Sequence, residues 1–284
     1  IPCMRSKLFE IRTAPEVFRS ALAFLFAQGR GFWLNLLFLG LPVPLLQSYY
    51  MLNQASFLNE DMFFVSLVQE PALILAKEAM LALGLSILSV VALQAFVYAY
   101  LEVYQKKPYQ AIAQQDVLPV FLQIIPKVLF ATLFSIIALG LSFILLLIPG
   151  VLLLPAVVLV PFISVHEKRD VFSALKRAVS LTRKRWWQGF GLILIVALFR
   201  RAIELFFSMP LSFISFIENL HQLEENVAPG MFSWQFVLML VVLALQSLLA
   251  FFASLCYAIH YFSVREFHER TALEAEVNKL GEDD

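Results

Sequence analysis

Six long apolar stretches most constrain what this chain can fold into. About 20 apolar residues in a helix cover the roughly 30 Å of hydrocarbon in a bilayer. Only 15% of the 284 residues are charged, against about 25% in a typical soluble domain. The sequence therefore predicts an all-α, polytopic membrane helical bundle with a single integral membrane domain over residues 1–262. The six transmembrane helices are predicted at residues 31–52, 72–104, 128–148, 151–165, 186–208 and 234–262.

Positive charges are sorted to one side of this topology. With six spans, both terminal segments and the second and fourth connections share a side and hold 18 of the 21 Lys and Arg residues. The two long loops on the other side, 53–71 and 209–233, hold none. Because an excess of Lys and Arg marks the cytoplasmic face, both termini are predicted inside, with 263–284 as a cytoplasmic tail helix. Four spans remain an alternative if Pro149-Gly150 forms a re-entrant hairpin.

A basic segment at residues 171–185 has helical spacing and leads into a Trp-Trp pair. It is predicted to be an interfacial amphipathic helix on the cytoplasmic side, as is the segment at 14–29. One interpretation is recognition of anionic lipid headgroups, where each basic residue contributes about 1 kcal/mol. The other is an ordinary topology signal followed by an aromatic belt. The candidate interface residues are Lys176, Arg177, Arg183, Lys184, Arg185, Trp186 and Trp187.

A second candidate group lies within the fifth predicted span. Arg200 and Glu204 are four residues apart and can pair on one helix face, with Arg201 beside them. Charged side chains at membrane depth are unfavourable unless they face a bundle interior or water, which favours an intramembrane polar site. The alternative is that the span ends early and these side chains snorkel to the outer interface.

Catalytic and metal-binding patterns are missing from the sequence. The four histidines have no metal-ligand spacing, and His166 and His260 are predicted at the headgroup level. No Gly-rich phosphate loop or G-x-S-x-G elbow occurs, so no catalytic residue, metal or cofactor is predicted. Cys3 and Cys256 are predicted to be free thiols, because Cys256 lies inside an apolar helix. Nucleic acid is not an expected partner.

An internal repeat is suggested at an offset of 154 residues. Val17-Phe18 corresponds to Val171-Phe172, and Phe32-Trp33 corresponds to Trp186-Trp187. In each copy a surface helix leads into a span. Repeats of this kind are common in transporters, where they flank a central site, although many other membrane proteins carry them.

The region from 149 to 190 carries a family resemblance. It resembles the membrane domain fused to some glycerophosphoryl diester phosphodiesterases, and the standalone bacterial relatives of that domain, whose function is unknown. The resemblance implies a multi-pass protein of the bacterial inner membrane without established catalysis. The phosphodiesterase activity of the fused proteins belongs to a separate soluble barrel domain and is not expected here. The matching residues are Pro149-Gly150, Pro161, Glu167, Ala174-Leu175-Lys176-Arg177, Ser180, Leu181-Thr182-Arg183 and Trp186-Trp187.

One departure from the family pattern lies before Pro161. The family often has an Arg in this span, whereas residues 151–160 carry no charge. A site that depends on that Arg is therefore not expected here.

These features favour a non-catalytic membrane protein that associates with lipids, including anionic ones, or binds protein partners in a membrane assembly. The alternative hypothesis is a transporter or permease for a lipid or small anion, suggested by the repeat and the charged group in the fifth span. A membrane enzyme acting on lipids is the third hypothesis.

Overall fold

A computed structural model describes residues 11–57, 72–106, 112–145, 147–222 and 234–282. Within these ranges the only regular secondary structure is helical. A π-helical turn, Leu36–Gly40, follows the helix Arg30–Asn35, and a 3₁₀ turn, Arg183–Arg185, follows the helix Val171–Thr182. The helices are α1 (Ala14–Ala27), α2 (Arg30–Asn35), α3 (Pro42–Phe57), α4 (Ala72–Lys106), α5 (Gln114–Leu145), α6 (Leu147–His166), α7 (Val171–Thr182), α8 (Trp186–Gln222) and α9 (Trp234–Glu282).

Four segments in the described part of the chain are long and apolar enough to cross a membrane. They are Ala79–Lys106, Gln114–Ile144, Ile148–His166 and Leu245–Arg270. The protein is therefore an all-helical, multi-pass membrane protein. These segments overlap the second, third, fourth and sixth predicted spans. The fifth predicted span lies in α8, which is not among the four.

The first predicted span, 31–52, is divided in the structure. Extended backbone at Gln28 and Gly29 separates α1 from α2, and the α1 and α2 segments bend by 98°. The chain then passes through the π-helical turn, in which the Leu41 amide donates to the Leu36 carbonyl, and α3 begins at Pro42. Proline has no amide hydrogen to continue the helical ladder, which accounts for a break at this point.

Three segments that were predicted as a connection, a turn and a loop are at least partly helical. The predicted connection up to Lys127 is helical from Gln114 onward, with Pro119 and Pro126 inside α5. Pro149 and Gly150, predicted to form a tight turn, lie in the first turn of α6. The first part of the predicted loop 209–233 is helical, because α8 extends as far as Gln222. The rest of that loop, and residues 58–71 of the other predicted loop, lie outside the described residues. A helix tolerates proline where neighbouring groups satisfy the freed carbonyls.

The helix α1 packs against α8 and α9. Val17 and Ala21 are fully buried, and Phe18 makes edge-to-face contacts with Phe199 and Phe252 at ring distances of 5.1 and 5.2 Å. The interfacial placement of this helix stays a prediction.

A pair of hydrogen bonds ties the segment before α1 to α9. The Arg12 amide donates to Ser263 Oγ at 2.8 Å, and Ser263 Oγ donates to the Arg12 carbonyl at 3.3 Å. Both residues are buried. The hydrogen bonds directly join two residues that are 251 positions apart in the sequence.

The helix α6 crosses the α8–α9 pair steeply. Near its start, the Leu152 carbonyl accepts a hydrogen bond from Trp186 at the beginning of α8. At its end, the His166 ring contacts Phe262 of α9. Leu152 and His166 are about 21 Å apart along α6. Their partners Trp186 and Phe262 nevertheless lie near one level, because α8 and α9 pair antiparallel. The six predicted spans therefore do not all run parallel.

Candidate functional site

A groove of about 700 Å³ lies where α8 begins, beside α6, α7 and α9. Its apolar wall comes from α6 and consists of Leu152, Leu153 and Ala156. Its basic wall is the 3₁₀ turn of Arg183, Lys184 and Arg185. Trp186, Trp187 and Gln188 belong to its lining at the start of α8, and Phe267 of α9 completes one side. We call this cavity the α8 groove.

Local sequence explains why α7 returns along α6 and brings the basic turn to this place. Lys168 adopts a left-handed conformation with φ 53°, which reverses the chain after α6. Asp170 then caps α7 by accepting a hydrogen bond from the Ser173 amide at 3.1 Å. Ala174 and Ala178 are fully buried, and their small side chains permit close packing of the two helices.

The three basic residues of the turn differ in their surroundings. Arg183 and Lys184 are exposed. Arg185 points inward, with its guanidinium 4.1 Å from the centre of the Phe267 ring. This cation–π contact holds Arg185 beside α9, while burial lowers its pKa without removing its charge at neutral pH. The groove therefore has two exposed cations at its rim and one cation held against Phe267.

The two tryptophans have different roles. Trp186 Nε1 donates to the Leu152 carbonyl at 2.8 Å, and its ring stacks on Phe190 at 5.0 Å. It therefore joins α8 to the early part of α6, close to Pro155, where the helical ladder lacks a donor. Trp187 is 76% exposed, which suits a ring at a membrane–water interface.

Polar atoms behind the groove lack hydrogen-bond partners. Arg185 Nη1, Gln188 Oε1 and both ring nitrogens of His260 are shielded from solvent without a partner in the structure. Buried polar groups are seldom left unsatisfied, so a bound polar group would stabilise this region.

His260 and Gln188 are the site residues that sequence analysis missed. His260 is 3% exposed and packed behind Gly189, while its predicted position at the headgroup level stays a prediction. A Cβ on Gly189 would lie 3.3 Å from its Nε2 atom. Gly189, two residues after the tryptophan pair, was the available signal for this close approach.

Arg177 belongs to an ionic network outside the groove. Arg177 Nε lies 3.4 Å from Glu167 Oε1, and Arg169 Nε lies 2.6 Å from Glu167 Oε2. The Tyr261 hydroxyl donates to the same carboxylate at 2.8 Å, and Arg177 also approaches Glu269 at 3.8 Å. Burial raises the pKa of Glu167, but the Tyr261 hydrogen bond and the two arginines lower it below its ordinary value. This network fastens the α6–α7 turn to α9.

The remaining predicted site residues do not line the groove. Lys176 is exposed on α7. Arg200 and Arg201 both pair with Glu204, at 2.7 and 3.1 Å, on the outer face of α8. The structure thus brings together Arg183, Lys184, Arg185, Trp186 and Trp187, and leaves the other five predicted residues elsewhere.

Comparison with protein-family models, with curated proteins and with solved structures found no match. The resemblance of residues 149–190 to the phosphodiesterase-associated membrane domain therefore stays a prediction.

Proposed function

We propose that the protein is a non-catalytic membrane component that holds the headgroup of an anionic phospholipid in the α8 groove. The observation that carries this proposal is the combination of a basic turn, Arg183–Arg185, with an apolar wall from α6 in one cavity. A phospholipid matches both walls, because its phosphate is anionic and its acyl chains are apolar. The unpartnered polar atoms at Arg185 and Gln188 support a polar ligand at the inner end.

The proposed location is the cytoplasmic leaflet of a bacterial inner membrane, with both termini inside. The sorting of Lys and Arg residues supports this orientation. The return of α7 along α6 limits how α6 can be oriented in the membrane. If α6 lay along the membrane normal, α7 would carry Arg183, Lys184 and Arg185 about 20 Å into the membrane. That depth is unfavourable for charges, so we place the α6–α7 hairpin close to the interface, which corresponds to the four-span alternative and keeps both termini on one side. Reporter fusions that locate either terminus outside the cytosol would contradict the orientation.

Lipid titration of the purified full chain tests the proposed function. We expect phosphatidylglycerol, added to detergent-solubilised protein and followed by native mass spectrometry, to bind in preference to phosphatidylcholine. A basic residue near an anionic surface contributes about 1 kcal/mol, so Lys184→Gln should weaken binding about fivefold. The double variant Arg183→Gln, Lys184→Gln should weaken it about 30-fold.

Lys176→Gln is the matched control. Lys176 and Lys184 are both exposed and lie eight residues apart in the sequence, but only Lys184 lines the groove. The control should therefore retain the affinity of the wild type. An equal loss in the two single variants would indicate general attraction to the anionic lipid, and it would remove the case for a defined groove.

The transport hypothesis gains no support from the geometry. The ion-paired residues Arg200, Arg201 and Glu204 lie on the outer face of α8 and do not line the groove. The two polar regions are therefore not joined into one path in the described part of the chain.

A further inference from the structure

Arg200 and Arg201 lie beside the apolar part of a candidate membrane span. The pairing of α8 with α9 brings Gly189 close to His260 and Phe199 close to Phe252, so the two helices run antiparallel in a regular register. This register places Arg200 and Arg201 near α9 residues 250–251, which lie near the middle of the predicted span 234–262 and five to six residues from the Leu245 end of Leu245–Arg270. Since α8 continues as a helix to Gln222, it does not end at these charges.

The charges of this group do not cancel. Two guanidinium groups share the single carboxylate of Glu204, which leaves a formal charge of +1. The Glu204 side chain is 13% exposed, whereas the Arg201 side chain is 77% exposed. An exposed cation at membrane depth is unfavourable against lipid, and such residues usually face protein or water.

Arg201 stands in the middle of an exposed strip of α8. Leu194, Leu198, Arg201 and Leu205 follow one another at intervals of four, three and four residues. This spacing is that of the contact seam in a pair of left-handed supercoiled helices. The opposite face of α8 is already used, since Leu192 is fully buried. We call these four residues the α8 strip.

We infer that the α8 strip is a docking surface for a transmembrane helix of another protein that carries a carboxylate at the depth of Arg201. Such a helix would pack apolar side chains on the leucines and neutralise the remaining positive charge. A second copy of this chain fits less well, because an isologous pair would bring two groups of charge +1 together. A lipid phosphate fits less well because phosphates lie at the interface, away from the apolar part of the span.

A designed peptide provides the test. The probes are leucine-rich transmembrane peptides with one central Glu, Leu or Lys, mixed with the labelled full chain in phosphatidylcholine liposomes and followed by energy transfer. We expect the Glu peptide to bind at least tenfold more tightly than the Leu peptide, and the Lys peptide to bind more weakly than either. Arg201→Leu should abolish the preference for Glu. Arg201→Glu should reverse it in favour of Lys, because the group then carries a formal charge of −1.

Two bulky substitutions test whether the peptide binds at the α8 strip. Leu198→Trp should weaken binding of the Glu peptide by blocking the seam, whereas Ile137→Trp on the exposed face of α5 should leave it unchanged. Equal binding of the three peptides, or no binding, would overturn the inference. Self-association of the full chain that is lost in Arg201→Leu would also overturn it, by identifying a second copy as the occupant. None of these outcomes depends on lipid binding in the α8 groove.

Discussion

Gly189→Ala tests how closely α6, α8 and α9 meet behind the groove. A Cβ at this position would lie 2.9 Å from Pro155 Cβ and 3.3 Å from His260 Nε2. Ordinary contacts of a Cβ begin at about 3.4 Å, and the proline ring is too rigid to move aside alone. Extra atoms in a packed interior usually cost about 1–3 kcal/mol of folding free energy. Part of this cost is offset, because alanine favours a helix over glycine by up to about 1 kcal/mol.

Gly84→Ala is the matched control. Gly84 lies in α4, is exposed, and has nothing within 4 Å of the position that a Cβ would occupy. Both variants receive the same helix-propensity gain, so the difference between them measures the clash alone. We expect Gly189→Ala to have an unfolding free energy about 1–3 kcal/mol below that of Gly84→Ala, measured by reversible unfolding in mixed detergent micelles. Equal unfolding free energies in the two variants would refute the close packing at Gly189.

Two further variants, and a control for the second, probe the contacts that hold the groove in place. Burial raises the pKa of Glu167, but the hydrogen bond from Tyr261 and the neighbouring guanidinium groups lower it overall, so its carboxylate stabilises the fold above the ordinary value of 4.5. This contribution is lost as the pH falls through the lowered pKa. Glu167→Gln should therefore flatten the loss of stability between pH 7 and pH 3, and an unchanged acid profile would contradict the network. Trp186→Phe keeps a ring but removes the hydrogen bond to the Leu152 carbonyl, at a cost of about 0.5–1.5 kcal/mol in unfolding free energy. Trp187→Phe, at an exposed position, is expected to change it by less than about 0.5 kcal/mol.

Parts of the fold could be predicted from apolar runs alone. The spans predicted at 72–104 and 151–165 correspond closely to Ala72–Lys106 and Leu147–His166, because the first run has polar flanks at both ends and the second ends at the polar residues His166-Glu167-Lys168. The third span was predicted to begin at residue 128, whereas α5 begins at Gln114 and contains Pro119 and Pro126. Proline removes one backbone hydrogen bond, and packing inside a helical bundle can outweigh that local loss.

The site was predictable only where its residues are consecutive. Arg183 to Trp187 form one run in the sequence, and the structure places all five around the same groove. Gln188 and His260 lie on different helices and are 72 positions apart in the sequence, so no spacing rule connects them. Their approach depends on how α8 and α9 align, which is a property of long-range packing and not of local pattern.

The bond between Arg12 and Ser263 has a consequence for biogenesis. The ribosome must add 251 residues after Arg12 before its partner exists, which takes about 13–50 s at ordinary elongation rates. Until α8 begins at Trp186, the buried face of α1 has neither α8 nor α9 to cover it, and until Phe252 is made it lacks its aromatic contact with α9. The nascent chain is therefore expected to need the translocon, a lipid surface or a chaperone to shield this face, and truncation before α9 should expose it to proteolysis.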